Sequence, residues 1–428
     1  QCRQMETLEI EEGLERLEAV SIASAYVLKN VTLPASLNYF GENTFYRCYE
    51  LGVGNLQVAE GNGHFMMKDN GKWLSNLGGD RLYWANFSKL GASVVIGEEI
   101  TYLHSGLFCD DNLLESITIN CDLEFLGVGT FYNTPELNSV ALNGSIEYIF
   151  GFTDVFNDDF YTWLTPLEKE QIMYYGAFES CVNLSEVLFV EGEELLTIGD
   201  KAFYRCTALK SIKLPERTLS LGENCFDGSG LSDIDFGGVR TIAANAFGNT
   251  KSLSVLTIPA SVTEIGKYAF RSSAISEIKF APRATGKEET PFEPLKLGES
   301  VFTYCASLKK ATFPDGLTSI PDSTFYNCAA LTYVYVPKTV ANGDDVVAGV
   351  SGFARAIGPR AFYHCESLAE IEFGLGGTGD LSFAERAFWG CTSLKTLNLP
   401  NRLRGVENDY DAFQFGLKLA GGLSNPNA

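Results

Sequence analysis

Three histidines and eleven cysteines are the residue types best suited to nucleophilic or metal chemistry in this 428-residue chain. His364 stands beside Cys365, the pairing a thiolate nucleophile needs. Yet Cys365 holds a position that recurs at Cys48, Cys181, Cys206, Cys305, Cys328 and Cys391. A recurring apolar site is a packing site, and burial raises a thiol pKa instead of lowering it. Gly374-Leu375-Gly376-Gly377-Thr378-Gly379 matches G-x-G-x-x-G after a strand-like run. A dinucleotide site would need a helix to open there, and the next element is another repeat. Asp158-Asp159 and Asp344-Asp345 carry the oxygen ligands Ca²⁺ takes, but exposed acid pairs are ordinarily just solvated. The sequence has no G-K-[ST] phosphate loop, no H-E-x-x-H and no EF-hand loop. Glycan hydrolysis would need two acids across a cleft, which a repeat array does not supply. The expectation is a protein without catalytic residues, cofactor or bound metal.

The elements that would hold any such residues are repeats. Ile198-Gly199-Asp200-Lys201-Ala202-Phe203-Tyr204-Arg205-Cys206-Thr207-Ala208-Leu209-Lys210-Ser211-Ile212-Lys213-Leu214-Pro215 gives the skeleton I-G-x-x-A-F-x-x-C-x-x-L-x-x-I-x-L-P. Its central Phe returns at positions 45, 108, 131, 178, 203, 226, 247, 270, 302, 325, 362 and 388, with Phe413 a further candidate. The shortest spacings run from 21 to 26 residues, the period of leucine-rich repeats. In L-x-x-I-x-L the Ile and last Leu alternate onto one face of a short strand. The Pro ends that strand because it cannot donate to a ladder. The Gly of I-G suits a turn with positive φ. Ala-Phe fills the far wall, and the Cys is a small filler where the chain turns back. After Phe226 and Phe270 the coil is one residue shorter and Ser229 or Ser273 replaces the Cys. One coil cannot bury its apolar face alone, so the coils must stack.

Formal charge is −22, from 54 acidic and 32 basic residues. Such a chain repels phosphate backbones and anionic lipid heads, so nucleic acid and direct membrane-surface binding are not expected. An odd number of cysteines cannot all pair within one chain, and no disulfide framework is read. No apolar run approaches the ~18 residues of a membrane span.

The skeleton closely resembles the BspA-like leucine-rich repeats of bacterial cell-surface proteins, over roughly residues 30 to 400. Val58-Ala59-Glu60-Gly61-Asn62-Gly63-His64-Phe65, then Lys68-Asp69-Asn70-Gly71-Lys72-Trp73-Leu74, is similar to an extension that interrupts some repeats of that family. The resemblance implies export, adhesion or host contact, and an α/β-type right-handed superhelix. A parallel β-sheet would line its concave face, with short irregular or helical segments opposite. Apart from the resemblance, Cys2 is a candidate lipoprotein site, where a lipid-bearing Cys would open the mature chain. The domain reading is an N-terminal cap at 1–29 and about twelve coils at 30–400. Insertions fall near 52–94, 143–174, 281–296 and 338–356, with a C-terminal cap and tail at 401–428. Thr165-Pro166-Leu167-Glu168 predicts a short helix over about 166–174. The segment from Phe150 to Trp163 is dense in aromatics.

Repeat register names the outward strand residues: Ser116 and Thr118, Ser139 and Ala141, Glu186 and Leu188, Ser211 and Lys213, Asp233 and Asp235, Val255 and Thr257. Further on come Glu277 and Lys279, Lys310 and Thr312, Tyr333 and Tyr335, Glu370 and Glu372, Thr396 and Asn398. Among these, Lys310, Tyr333 and Tyr335 form an expected exposed patch, with Lys213, Asp235, Glu277, Lys279, Glu370 and Glu372 as further candidates. An aromatic pair beside a cation suits recognition of a protein or sugar. The expected function is a non-catalytic extracellular interaction or adhesion module with a protein or glycan partner. The alternative is a cell-envelope scaffold without a specific ligand.

Overall fold

The computed structural model describes residues 2, 4–150, 175–190, 192, 194–282, 293–342, 356–395 and 397–406. The chain divides into two compact units, Gln1–Gly238 and Val239–Ala428. Both are stacks of parallel β-coils, about 13 turns in all.

Three hydrogen-bond ladders run along each stack. The first is the expected strand row. Ser211–Lys213 pairs in parallel with Asp233–Asp235 in the first unit. In the second, Val255–Ile258, Glu277–Phe280, Lys310–Thr312, Tyr333–Val336 and Glu370–Phe373 lie in that order in one sheet. The two-residue alternation holds: Ile212 and Leu214 are buried, while Ser211 and Lys213 are exposed. Ser116, Thr118, Ser139 and Ala141 are half-buried instead of fully outward.

The second ladder corrects the fold expectation. The far side carries a second parallel sheet where short irregular or helical segments were expected. In the first unit it runs Leu123–Leu126, Ile146–Ile149, Leu196–Ile198, Thr218–Leu221. In the second it runs Thr241–Ile242, Glu264–Ile265, Lys296–Leu297. Helix among the described residues is the single turn Phe87–Leu90 and the 3-10 turn Leu51–Val53.

The third ladder explains why the Phe arc cannot be helical. Two residues per coil, two before and two after the central Phe, sit in the left-handed region. Lys201 (φ 56) and Arg205 (φ 60) flank Phe203, and Asn245 (φ 53) and Asn249 (φ 54) flank Phe247. This geometry turns alternate N–H groups along the stack. Lys201, Phe203 and Arg205 donate to the carbonyls of Glu223, Cys225 and Asp227 at 2.8, 2.8 and 3.0 Å. Left-handed backbone costs about 1–2 kcal/mol per residue for a non-Gly side chain, and these inter-coil bonds offset it.

The Phe residues form stacked columns. Phe108, Phe131, Phe178, Phe203 and Phe226 stand 5.0–5.3 Å apart with ring planes within 6°. In the second unit Phe247, Phe270, Phe302, Phe325, Phe362 and Phe388 stand 5.2–5.5 Å apart. Phe203, Ile198 and Leu209 are all fully buried. The I-G glycine does not take positive φ. A Cβ on Gly222 would lie 2.5 Å from the Asp200 nitrogen, and one on Gly266 2.7 Å from the Ala243 carbonyl carbon. The residue is Gly because the backbone of the preceding coil passes there, not because of its own turn.

All eleven cysteines are free, and the repeat thiols do more than fill space. Cys181, Cys206, Cys305, Cys328, Cys365 and Cys391 donate to the Phe carbonyl of the preceding coil at 2.9–3.1 Å. Thr134 makes the same bond to the Phe108 carbonyl at 2.8 Å.

The opening residues assigned to a cap are built as a coil: Thr7–Glu9 pairs with Asn30–Leu33, and Arg16–Leu17 with Tyr39–Phe40. The insertion near 52–94 is an antiparallel meander of Phe65–Lys68, Trp73–Asn76 and Arg81–Ala85. Its last strand pairs in parallel with Tyr102–Leu103. Trp73 closes the end of the Phe column, edge-on to Phe108 at 6.0 Å. The predicted helix at 166–174, residues 151–163 of the aromatic segment, both acid pairs, Thr396, Phe413 and the C-terminal tail lie outside the described residues. So do 283–292 and 343–355 within the later insertions.

Candidate functional site

The strand row of the second unit brings most of the expected residues together. Lys310 is the direct neighbour of Glu277 on one side and of Tyr333 on the other. Tyr333 and Tyr335 then face Glu370 and Glu372. Val334 and Val336 are buried, which forces the two Tyr rings to the outer face. Lys310 Nζ lies 5.3 Å from the centre of the Tyr333 ring, within cation–π range. The Tyr333 hydroxyl donates to Glu372 Oε2 at 2.6 Å. Burial, followed by that bond and the neighbouring carboxylates, pushes the Tyr333 hydroxyl up to about 12. Burial with Asp315 and Glu372 raises Tyr335, against the opposing charge of Lys338.

Two features differ from the expectation. The Tyr rings are half-buried, not fully exposed, because their neighbours lie against them. The charges are also ordered: Lys310 and the Glu277–Lys279 pair (3.1 Å) lie on one flank, Glu370 and Glu372 on the other. Lys213 and Asp235 are exposed direct neighbours in the first unit. They belong to a separate stretch of strand row.

The residues suspected of chemistry are held apart. Cys365 is fully buried, its thiol donates to the Phe325 carbonyl at 3.1 Å, and burial raises its pKa well above the usual thiol value. His364 turns instead to Glu366, Nδ1 3.6 Å from Oε1. The Gly374–Gly379 run leads into the strand Leu381–Phe383 and not into a helix. A Cβ on Gly377 would come 2.4 Å from the Lys338 carbonyl oxygen, so this glycine too serves close coil packing.

A second cluster was not read from the sequence. It lies in the first unit, where the far-side ladder breaks between Tyr39–Phe40 and the meander. Glu42, 3% exposed, crosses the break. It accepts from the Tyr102 hydroxyl and from the Ser105 N–H at 2.9 Å, and lies 3.6 Å from His104 Nε2. Phe40, Tyr83 and Tyr102 pack around His104, and Phe65 packs against Phe40 and Tyr83. Glu42 stands one residue after the I-G glycine, where Asp200, Glu223 and Glu299 also stand. Its sequence position therefore does not distinguish it; only the broken ladder does.

The chain matches the BspA type leucine rich repeat region, in six copies, over residues 1–58, 84–159, 171–294, 239–346 and 353–417. It is similar in structure to a leucine-rich repeat protein from Bacteroides ovatus, at 20% identity over 95% of this chain and 75% of that one, with a TM-score of 0.47. A leucine rich cell surface protein from Faecalibacterium prausnitzii aligns at 19% identity over 82% of this chain and 83% of that one, TM-score 0.37. The pneumococcal vaccine antigen PcpA aligns at 16% identity over 78% and 62% of the two chains, TM-score 0.32. No curated protein matches the chain.

Proposed function

We propose, from the premise that this chain belongs to the BspA-type leucine-rich-repeat family, that it is a non-catalytic interaction module displayed on, or secreted from, a bacterial cell. Its partner is an extracellular protein or glycan. The strand row around Lys310, Tyr333 and Tyr335 is the surface that holds it.

The observation that carries this reading is the order of side chains on adjacent strands. Lys310, with the Glu277–Lys279 pair beyond it, lies on one side of two Tyr rings, and the two carboxylates Glu370 and Glu372 lie on the other. Each ring offers a large contact area at low entropy cost, with a hydroxyl at its tip. The ordered charges would select a partner of opposite order and fix its register.

The test is a binding screen of the whole chain against extracellular-matrix proteins and glycans, followed by Tyr333→Ala with Tyr335→Ala. Affinity for the captured partner should weaken by about 2 kcal/mol or more, with the melting temperature nearly unchanged. Unaltered affinity in the double variant would remove this surface from the reading. A loss of stability with no partner found would favour the scaffold role, in which the Lys310–Tyr333–Glu372 contacts serve only to tie strands together.

A further inference from the structure

At the broken ladder of the first unit a cleft of about 300 Å³ opens beside Glu42. Its walls come from three places in the chain: Asn38 and Tyr39 from one sheet edge, Arg81 and Tyr83 from the meander, and Tyr102 from the following coil. A regular coil has no such opening, because consecutive far-side strands bond directly. Here Arg81–Ala85 has Trp73–Asn76 on one edge and Tyr102–Leu103 on the other, and Tyr39–Phe40 pairs with Arg16–Leu17.

We propose that this cleft binds a single neutral pyranose residue of a glycan, its ring face on the aromatic wall and its hydroxyls on Arg81, Asn38 and Glu42. The volume lies at the small end of ligand pockets and suits one ring, not an oligosaccharide. Tyr39 and Tyr83, both half-buried, give the cleft apolar faces with polar tips, matching a sugar that has C–H faces and a hydroxyl rim. The Arg81 side chain is exposed, with its guanidinium carbon 4.5 Å from the centre of the Tyr102 ring. A guanidinium presents a planar fork of donors, which fits two adjacent hydroxyls. An ionised Glu42 is an acceptor with about four lone-pair sites; Tyr102 and Ser105 occupy two of them. Asn38, exposed on the rim, adds both a donor and an acceptor.

Charge decides between sugar classes. The lining holds one carboxylate, Glu42, one guanidinium, Arg81, and the His104 imidazole beside Glu42, so the cleft carries no large excess of either sign. The chain as a whole carries −22, which disfavours an acidic sugar. The inference does not depend on the strand-row surface of the second unit, and its residues are different ones.

The experiment titrates the full chain with the methyl glycosides of glucose, galactose, mannose and N-acetylglucosamine, and with glucuronate. Saturation-transfer NMR and calorimetry are the readouts. At least one neutral glycoside should bind. Arg81→Ala should weaken it about tenfold or more, and Asn38→Ala by a smaller factor. Both sites are exposed, so a circular-dichroism melt should match wild type, and Tyr333→Ala should leave glycoside binding unchanged. The proposal is overturned if no neutral glycoside binds, if glucuronate alone binds, or if Arg81→Ala binds as tightly as wild type.

Discussion

Phe131 and Phe178 meet with ring planes 2° apart, whereas Phe65 and Tyr83, in the inserted meander, meet at 88°. The first pair belongs to coils that repeat in register, so each ring sees a copy of itself and the copies stack. The second belongs to a junction where an antiparallel element meets parallel coils, and no side chain finds its own copy. The regular region buries its core mainly with Phe, Leu, Ile, Val, Ala and Cys, and its buried Thr134 and Cys side chains bond the same backbone position coil after coil. The junction closes with mixed aromatics and a buried carboxylate bonded from both sides. In the repeats the polar closure is itself repeated, a Cys or Thr bonding the coil before; at the junction it is made once, by Glu42, beside an opening.

The largest expected effect tests the column. Phe203→Ala should cost about 3–5 kcal/mol, from lost transfer energy plus a cavity. Phe45→Ala should cost clearly less, because Phe45 is half-buried and tilts 58° against Phe40 outside the column. Denaturant titration of the two variants would break the comparison if their costs were equal. Next is Glu42→Ala, which takes away the acceptor of the buried Tyr102 hydroxyl and of the Ser105 N–H. Its expected cost is about 1–3 kcal/mol. Hydrogen exchange should place the loss at the meander and its neighbouring strands, with the Phe178–Phe226 coils still protected. Uniform deprotection would mean the junction is not a separate unit of stability. The smallest effect isolates the thiol bond. Cys206→Thr should be nearly neutral, since Thr134 already fills the equivalent place and makes the equivalent bond. Cys206→Val keeps the shape without the donor and should be about 1 kcal/mol worse than Thr. Equal melting curves for Thr and Val would return the cysteine to a mere filler.

Much of this was legible in the chain, for physical reasons that differ by element. L-x-x-I-x-L repeats often enough for its alternation to be read, so Lys310 beside Tyr333 followed from register. The Phe and Cys positions followed from their fixed spacing. The second ladder was not legible: its strands are as short as Thr241–Ile242 and Glu264–Ile265, too brief for any period to show. The role of Gly222 was misread because the atoms that exclude a Cβ belong to a residue 22 positions earlier, Asp200. The left-handed residues were hidden too, since Lys201, Tyr268 and Arg360 hold positions where Asn or Gly would have signalled the turn. The Tyr333–Glu372 bond runs diagonally between strands and depends on side-chain reach as well as on register. Nothing in the residue types marks Glu42 either.

The glycine contact has a consequence for how such a chain changes over generations. The constraint at Gly222, Gly266, Gly298 and Gly358 is set by the coil before, and each of those coils offers much the same backbone to whatever follows. A duplicated coil therefore arrives already matched to its new neighbours on both sides. Unequal recombination between like coils can lengthen or shorten the array in whole turns without compensating substitutions elsewhere. The junction at Glu42 has no such freedom, because its partners are single residues with no second copy. Copy number is thus free to drift in the regular stretches, while the meander and its cleft must be inherited as one piece.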